Sequence, residues 1–274
     1  MICEVTDLTV YPVKSCAGIR LDRAEVTPTG FAHDRQLMVV DAEGEFVSQR
    51  SEPRLALVRV TMLDGGALRL EAPGVQALEV DLTADAGRRE VVVWGDRVMA
   101  ASVGPSEDRW LSAFLDRPCA LVRMPADTVR AVDPDEAGPG FRVGFADGYP
   151  FLLLSEASLD ELNRRLERPL TMDRFRPNLV VDGCPPHAED GWRRVRIGEV
   201  VLRVVKPCSR CTVTTVDQAT GERGVEPLAT LATYRRSGRH VMFGQNLVPE
   251  TTGVITVGDP VEVLESGPPR PELD

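Results

Sequence analysis

The densest chemistry in the chain is Cys208-Ser209-Arg210-Cys211, which sets two thiols, a hydroxyl and a guanidinium within four consecutive residues. It lies between the β-prone run 200–205 and the β-branched run 212–216, which predicts that the thiols sit at a strand end or in the turn joining two strands. Three kinds of chemistry fit such a turn. A dithiol oxidoreductase would open a helix at the pair, because a helix N-terminus lowers the thiol pKa, but Thr212-Val213-Thr214-Thr215-Val216 is a poor helix opener. A tetrahedral zinc site would combine the pair with Cys184-x-x-His187, although Pro185 and Pro186 stiffen that loop without forming a familiar zinc knuckle. The third is a single thiolate on a soft transition metal, with Ser209 and Arg210 holding an anionic part of the same cofactor. That reading needs more cations from elsewhere.

Candidates for them are scattered along the chain. Lys14-Ser15 falls in a turn after a strand, His33-Asp34-Arg35 precedes an apolar strand, and Arg174-Phe175-Arg176-Pro177-Asn178 leads into a strand at 179–181. The first has an ordinary reading as a solvated turn and the second as a surface ion pair. Ser155, followed by Ser158, is a good N-cap for a helix running past Leu159 and Leu162; a helix N-terminus facing a pocket can also bind phosphate. The three histidines, His33, His187 and His240, form no evident catalytic set, though His33 could shuttle protons.

The elements that must position these residues are mostly strands. Up to about residue 100 short apolar runs alternate with Gly and Asp turns, as in a barrel or sandwich, with a hairpin signal at 42–45. A helix is expected at 107–115, with Trp110, Leu111, Phe114 and Leu115 on one face, and a short one at 227–235. Residues 133–140 read as a mobile loop or linker, and 266–274 as a Pro-rich tail.

Composition narrows the partners. With 32 Lys+Arg against 42 Asp+Glu in 274 residues, the formal charge of -10 argues against nucleic acid and anionic membrane. Any basic pocket must therefore be built locally. The six cysteines are scattered and the N-terminus lacks a charged region followed by an apolar one, so a cytoplasmic protein with reduced thiols is expected. No apolar run approaches the ~20 residues of a membrane span.

Taken in order, six blocks resemble the MOSC proteins, relatives of the C-terminal domain of molybdenum cofactor sulfurase, and above all the mitochondrial amidoxime-reducing component and its bacterial relatives. The blocks are Tyr11-Pro12-Val13-Lys14-Ser15-Cys16, His33-Asp34-Arg35, Ser155-Glu156-Ala157-Ser158, Phe175-Arg176-Pro177-Asn178, Cys208-Ser209-Arg210-Cys211 and Thr214-Thr215-Val216-Asp217. The resemblance implies a mainly β fold with some helices (α+β). A MOSC-type β-barrel over 101–265 would follow a smaller β-rich N-terminal domain over 1–100.

It also implies a molybdenum cofactor (Mo-molybdopterin). By the same matching Cys211, rather than Cys208, would be the catalytic thiolate ligand of molybdenum. Lys14, Ser15, Arg35, Arg176, Asn178, Ser209 and Arg210, with Ser155 at its helix N-terminus, would hold the pterin and its phosphate. The implied activity is reduction of small N-hydroxylated or N-oxide compounds. No cysteine follows Cys211 to build a fused ferredoxin, so electrons are expected from an external ferredoxin-, flavoprotein- or haem-type reductase. The alternative is a carrier of sulfur, as a cysteine persulfide, or of the cofactor itself.

Overall fold

A computed structural model describes residues 2–270; the end of the expected Pro-rich tail lies outside the described residues. The molecule is mostly strands, as the alternating apolar pattern requires. One sheet runs in the order Val261–Ser266, Trp192–Ile197, Val200–Ser209, His240–Pro249, Phe151–Ser155, Leu179–Asp182, Glu4–Val10, Ile19–Leu21, with Arg236–Ser237 attached to His240–Pro249. Its core is built from alternate residues of these strands, among them Leu8, Leu153, Leu179, Leu202 and Leu247, all fully buried. Alternation places one face of each strand against that core, and on the opposite face Leu154 and Phe243, and Val205 and Val248, pack into two smaller apolar clusters.

The expected mainly β, α+β fold is present, but among the described residues no continuous ladder closes the large sheet into a barrel. The strand order is an open path whose far parts are joined by a single antiparallel bridge, Glu4 with Pro260, flanked by Val5 N donating to Asp259 O at 3.0 Å and Val261 N to Cys3 O at 2.7 Å. Register shifts between Trp192 and Val195 on one edge and between Val5 and Asp7 near the other turn the strands out of line, so no continuous ladder closes the sheet.

A second sheet of four strands, ordered Leu37–Asp41, Cys119–Arg123, Asp96–Ser102, Arg88–Val93, carries its own core around Met38, Val40, Val91, Val122 and Phe145. The helix Pro105–Leu115 buries Leu111, Phe114 and Leu115, close to its expected span. The first strand, Glu4–Val10, pairs antiparallel with Leu179–Asp182, so residues from the beginning of the chain lie inside the sheet built mostly by its second half.

Two local expectations are also corrected. The run after Cys211 is not a strand but a 3-10 turn, Thr212–Thr215. The threonine hydroxyls explain it: Thr214 Oγ1 donates to Cys211 O at 2.9 Å and Thr215 Oγ1 to Thr212 O at 2.8 Å, offering the backbone partners that a ladder would otherwise supply. The supposed linker 133–140 contains a helical turn, Pro134–Ala137. The Asp133 carboxylate caps it by accepting from Asp135 N at 3.0 Å, and Glu136 pairs with Lys206 at 2.9 Å.

Candidate functional site

The cysteine pair ends the strand Val200–Ser209 and opens the Thr212–Thr215 turn, which projects both thiols into a cavity of about 150 Å³. Its walls come from distant segments. Lys14 and Ser15 follow the first strand, Arg35 precedes the strand Leu37–Asp41, Arg176 and Asn178 lead into Leu179–Asp182, and Ser209, Arg210 and Cys211 come from the turn itself. Eight of the nine residues singled out from the sequence thus line one space.

Ser155 is the ninth, and it does not. Fully buried, it caps the helix Glu156–Asn163 by accepting from Ser158 N at 3.1 Å, while its hydroxyl donates to the Glu189 carboxylate. The phosphate expectation for Ser155 finds no support in this placement: the residue lies outside the cavity, with its hydroxyl engaged by Ser158 N and the Glu189 carboxylate.

Each cation is held in a distinct way. The Lys14 ammonium donates to Phe145 O at 2.7 Å and pairs with Asp147; burial lowers its pKa against the opposing pull of that carboxylate. Arg35 is braced by both oxygens of buried Asp34, at 2.8 and 2.7 Å, and by Asn178 Oδ1 at 3.1 Å. Asn178 is a strut as well as a wall, because its Nδ2 donates to Thr9 O at 3.1 Å. Arg210 donates to Phe175 O at 2.8 Å and to the Cys208 sulfur at 3.1 Å.

Arg176 stands apart. Its guanidinium lies 4.2 Å from the Tyr11 ring centroid, as does that of Arg35, yet among the described residues its side chain donates no hydrogen bond. Burial lowers its pKa. The Arg176 Nη2 and the Arg210 Nε are buried without partners, a costly arrangement unless an acceptor is meant to arrive. Arg176 is also the one residue shared with a larger neighbouring cavity of about 700 Å³, whose walls hold no thiol.

Backbone strain marks the same places. Ser15, Arg35 and Arg176 all have positive φ, at 71°, 44° and 56°. Left-handed backbone disfavours residues with a Cβ and persists where surrounding structure over-determines it. Sequence patterns do not reveal such strain at serine or arginine.

Three further residues at the site, Arg50, Trp94 and Asp147, had no functional signal attached to them in the sequence. Arg50 Nη2 lies 2.9 Å from the Cys211 sulfur and 3.1 Å from Asp147 Oδ2, and the Arg50 guanidinium lies 4.4 Å from the Trp94 ring centroid. Asp147 is shared between Arg50 and Lys14. Although desolvation opposes it, the charges of Lys14 and then Arg50 hold the Asp147 carboxyl well below the usual carboxylate range. As a sequence, Asp147-Gly148 reads only as a turn. Arg50 had no pattern at all.

The zinc arrangement is not assembled: among the described residues no three or more His, Cys, Asp or Glu side chains gather as a metal cluster. Cys184 lies beside Cys3, and the His187 ring packs 6.0 Å from Tyr234 and 6.1 Å from Phe243. Burial first, then Arg235, lowers the His187 pKa to about 4. An unfolded histidine titrates near ~6.5, so the unfolded chain binds this proton more readily. Stability present at neutral pH is therefore lost as pH falls from ~6.5 through 4. His187→Gln is expected to flatten that limb of the Tm–pH curve; equal slopes in both proteins would place the acid sensitivity in another group.

Residues 2–118 match the MOSC N-terminal beta barrel domain and residues 140–262 the MOSC domain. The chain is 38% identical to mitochondrial amidoxime-reducing component 1 of Homo sapiens and 39% identical to that of Mus musculus, in each case over 95% of this chain and 82% of the relative. It is 33% identical to molybdenum cofactor sulfurase of Solanum lycopersicum over 96% of this chain, but over only 36% of that longer protein. Two domain matches in series, and a relative matched along most of both lengths, have one consequence: the chain belongs to the MOSC-domain family.

Proposed function

We propose that the protein is a molybdenum-cofactor-dependent oxidoreductase that reduces N-hydroxylated or N-oxide compounds with electrons from a separate redox protein. The observation that carries this reading is the convergence of the Cys211 thiol with Lys14, Arg35, Arg176 and Arg210 on one cavity where two guanidinium nitrogens are buried without acceptors. A soft thiolate suits a transition metal, and guanidinium forks suit a phosphate; the residues present fit this cofactor.

In this reading Cys211 would ligate the metal, and when bound the cofactor supplies two-electron removal of an oxygen atom from nitrogen. The chain's own part is binding and electrostatics. Arg176 and Arg210 offer their free donors to the phosphate and pterin, while Lys14 and Arg35, already braced by Asp147 and Asp34, place positive charge without moving. Ser15 and Ser209 add hydroxyls at the wall. Ser209 Oγ is itself hydrogen-bonded to His240 Nδ1 at 3.1 Å. Fixed charges of this kind need no reorganisation when the anionic ligand arrives.

Protein made in a host that synthesises the cofactor is expected to contain stoichiometric molybdenum and to oxidise reduced methyl viologen when given benzamidoxime. A specific observation supports a second reading: both thiols, Cys208 and Cys211, line the same cavity, as a persulfide or cofactor carrier would require. Loaded protein that remains silent with every N-oxygenated compound would favour the carrier.

A further inference from the structure

We propose that Arg50 is a positioning residue for the metal centre: clamped by Trp94 and Asp147, its guanidinium donates a hydrogen bond to the Cys211 sulfur and thereby sets the reduction potential of the metal that this sulfur would hold. The proposal rests on the reading of Cys211 as the metal's thiolate and adds a residue outside the family motifs.

Arg50 is fixed from several sides. Its backbone N–H donates to Ser48 Oγ at 3.2 Å, and its carbonyl accepts from the Arg223 guanidinium, which also donates to Gln49 O at 2.9 Å. From this anchored backbone the side chain reaches into the cavity, where a single nitrogen, Nη2, faces both the Cys211 sulfur and the Asp147 carboxylate. The planar group is covered by the Trp94 indole, and that indole is itself tilted against Phe46 at 5.1 Å.

Trp94 is in an unlikely place for such a residue on packing grounds alone. It is the first residue of the two-residue turn joining Arg88–Val93 to Asp96–Ser102, with φ of 55° followed by 89° at Gly95. Hairpin turns of this geometry favour Asn-Gly or Gly-Gly, because both central residues are left-handed. Trp94 is 48% exposed, so core burial does not account for it. What it touches does: the guanidinium that meets the sulfur.

The electronic consequence follows from the hydrogen bond. A donor on a thiolate draws electron density from sulfur, weakens its donation to the metal and makes the metal easier to reduce, as hydrogen bonds to ligand sulfurs do in other metal sites. Without Arg50 the sulfur donates more strongly and the potential falls. Lysine keeps the charge but not the planar fork, and Trp94→Ala keeps the fork but frees it.

The test is an EPR-monitored redox titration, with molybdenum-to-protein ratios, on cofactor-loaded wild type, Arg50→Gln, Arg50→Lys and Trp94→Ala. The expected result is a shift to more negative potential in Arg50→Gln, with the other two between it and wild type. If Arg50→Gln does not load, the same ordering in Arg50→Lys and Trp94→Ala carries the proposal. Loaded variants whose potentials equal that of an active wild type overturn the role of Arg50 alone; a purely structural role would change occupancy or Tm and leave the potential unmoved. A wild type without molybdenum overturns the functional reading, and this assignment with it.

Discussion

Cys211→Ser is expected to abolish turnover. A thiolate is a strong, soft donor to a high-valent metal, whereas a serine hydroxyl stays protonated at neutral pH and offers a hard oxygen. The cations that line the rest of the cavity are untouched by the change, so part of the cofactor should still bind. Cys208→Ser should differ sharply. The Cys208 sulfur accepts from Arg210 Nη1, and a serine oxygen can accept in its place, so most activity should remain. Rates with reduced viologen, read beside molybdenum-to-protein ratios, decide the matter. Equal loss in the two variants would favour a dithiol mechanism, and an active Cys211→Ser would remove the basis of the metal-thiolate reading.

Arg176→Ala is expected to lower cofactor affinity by roughly ten- to a hundredfold, the loss of one charge-assisted hydrogen bond worth about 1.5–3 kcal/mol. The stability of the cofactor-free protein should be little affected. There the Arg176 Nη2 is buried without a partner and the backbone is held left-handed at φ 56°, so alanine relieves a desolvation penalty while losing the contact with the Tyr11 ring. Its Tm should therefore stay near that of wild type. Calorimetry on the cofactor-free pair, beside molybdenum analysis on the loaded pair, separates the two effects. A large drop in Tm would make Arg176 a structural residue, and undiminished molybdenum would take it out of the cofactor site.

The sequence made the site's participants legible because chemistry concentrates in short motifs. Cys208-x-x-Cys211, Lys14-Ser15, Arg35 and Arg176-Pro177-Asn178 were recognisable as types, and the fold brings them together. It concealed what depends on backbone conformation and long-range packing. Arg50 looks like any surface arginine until Arg223 and Trp94 fix it, and Asp147 looks like a turn residue until Lys14 and Arg50 close on it. Ser155 erred the other way. Its N-cap signature was correct, but Glu189, 34 residues downstream, occupies the hydroxyl that a phosphate would have needed. The β-branched run after Cys211 had strand propensity, and local threonine hydrogen bonds overrode it.

The insertion of the first strand between Ile19–Leu21 and Leu179–Asp182 has a consequence for how the protein is made. Tyr11, Lys14 and Ser15 leave the ribosome early, but the partner strand that fixes their position is synthesised some 170 residues later, at the pace of about 5–20 residues per second. Pairings of such high sequence separation are slow to form, and the corner bonds from Val5 to Asp259 and from Val261 to Cys3 require nearly the whole chain. Half the cationic wall must therefore wait for the other half. A complete cationic wall is thus expected only once these distant segments have paired.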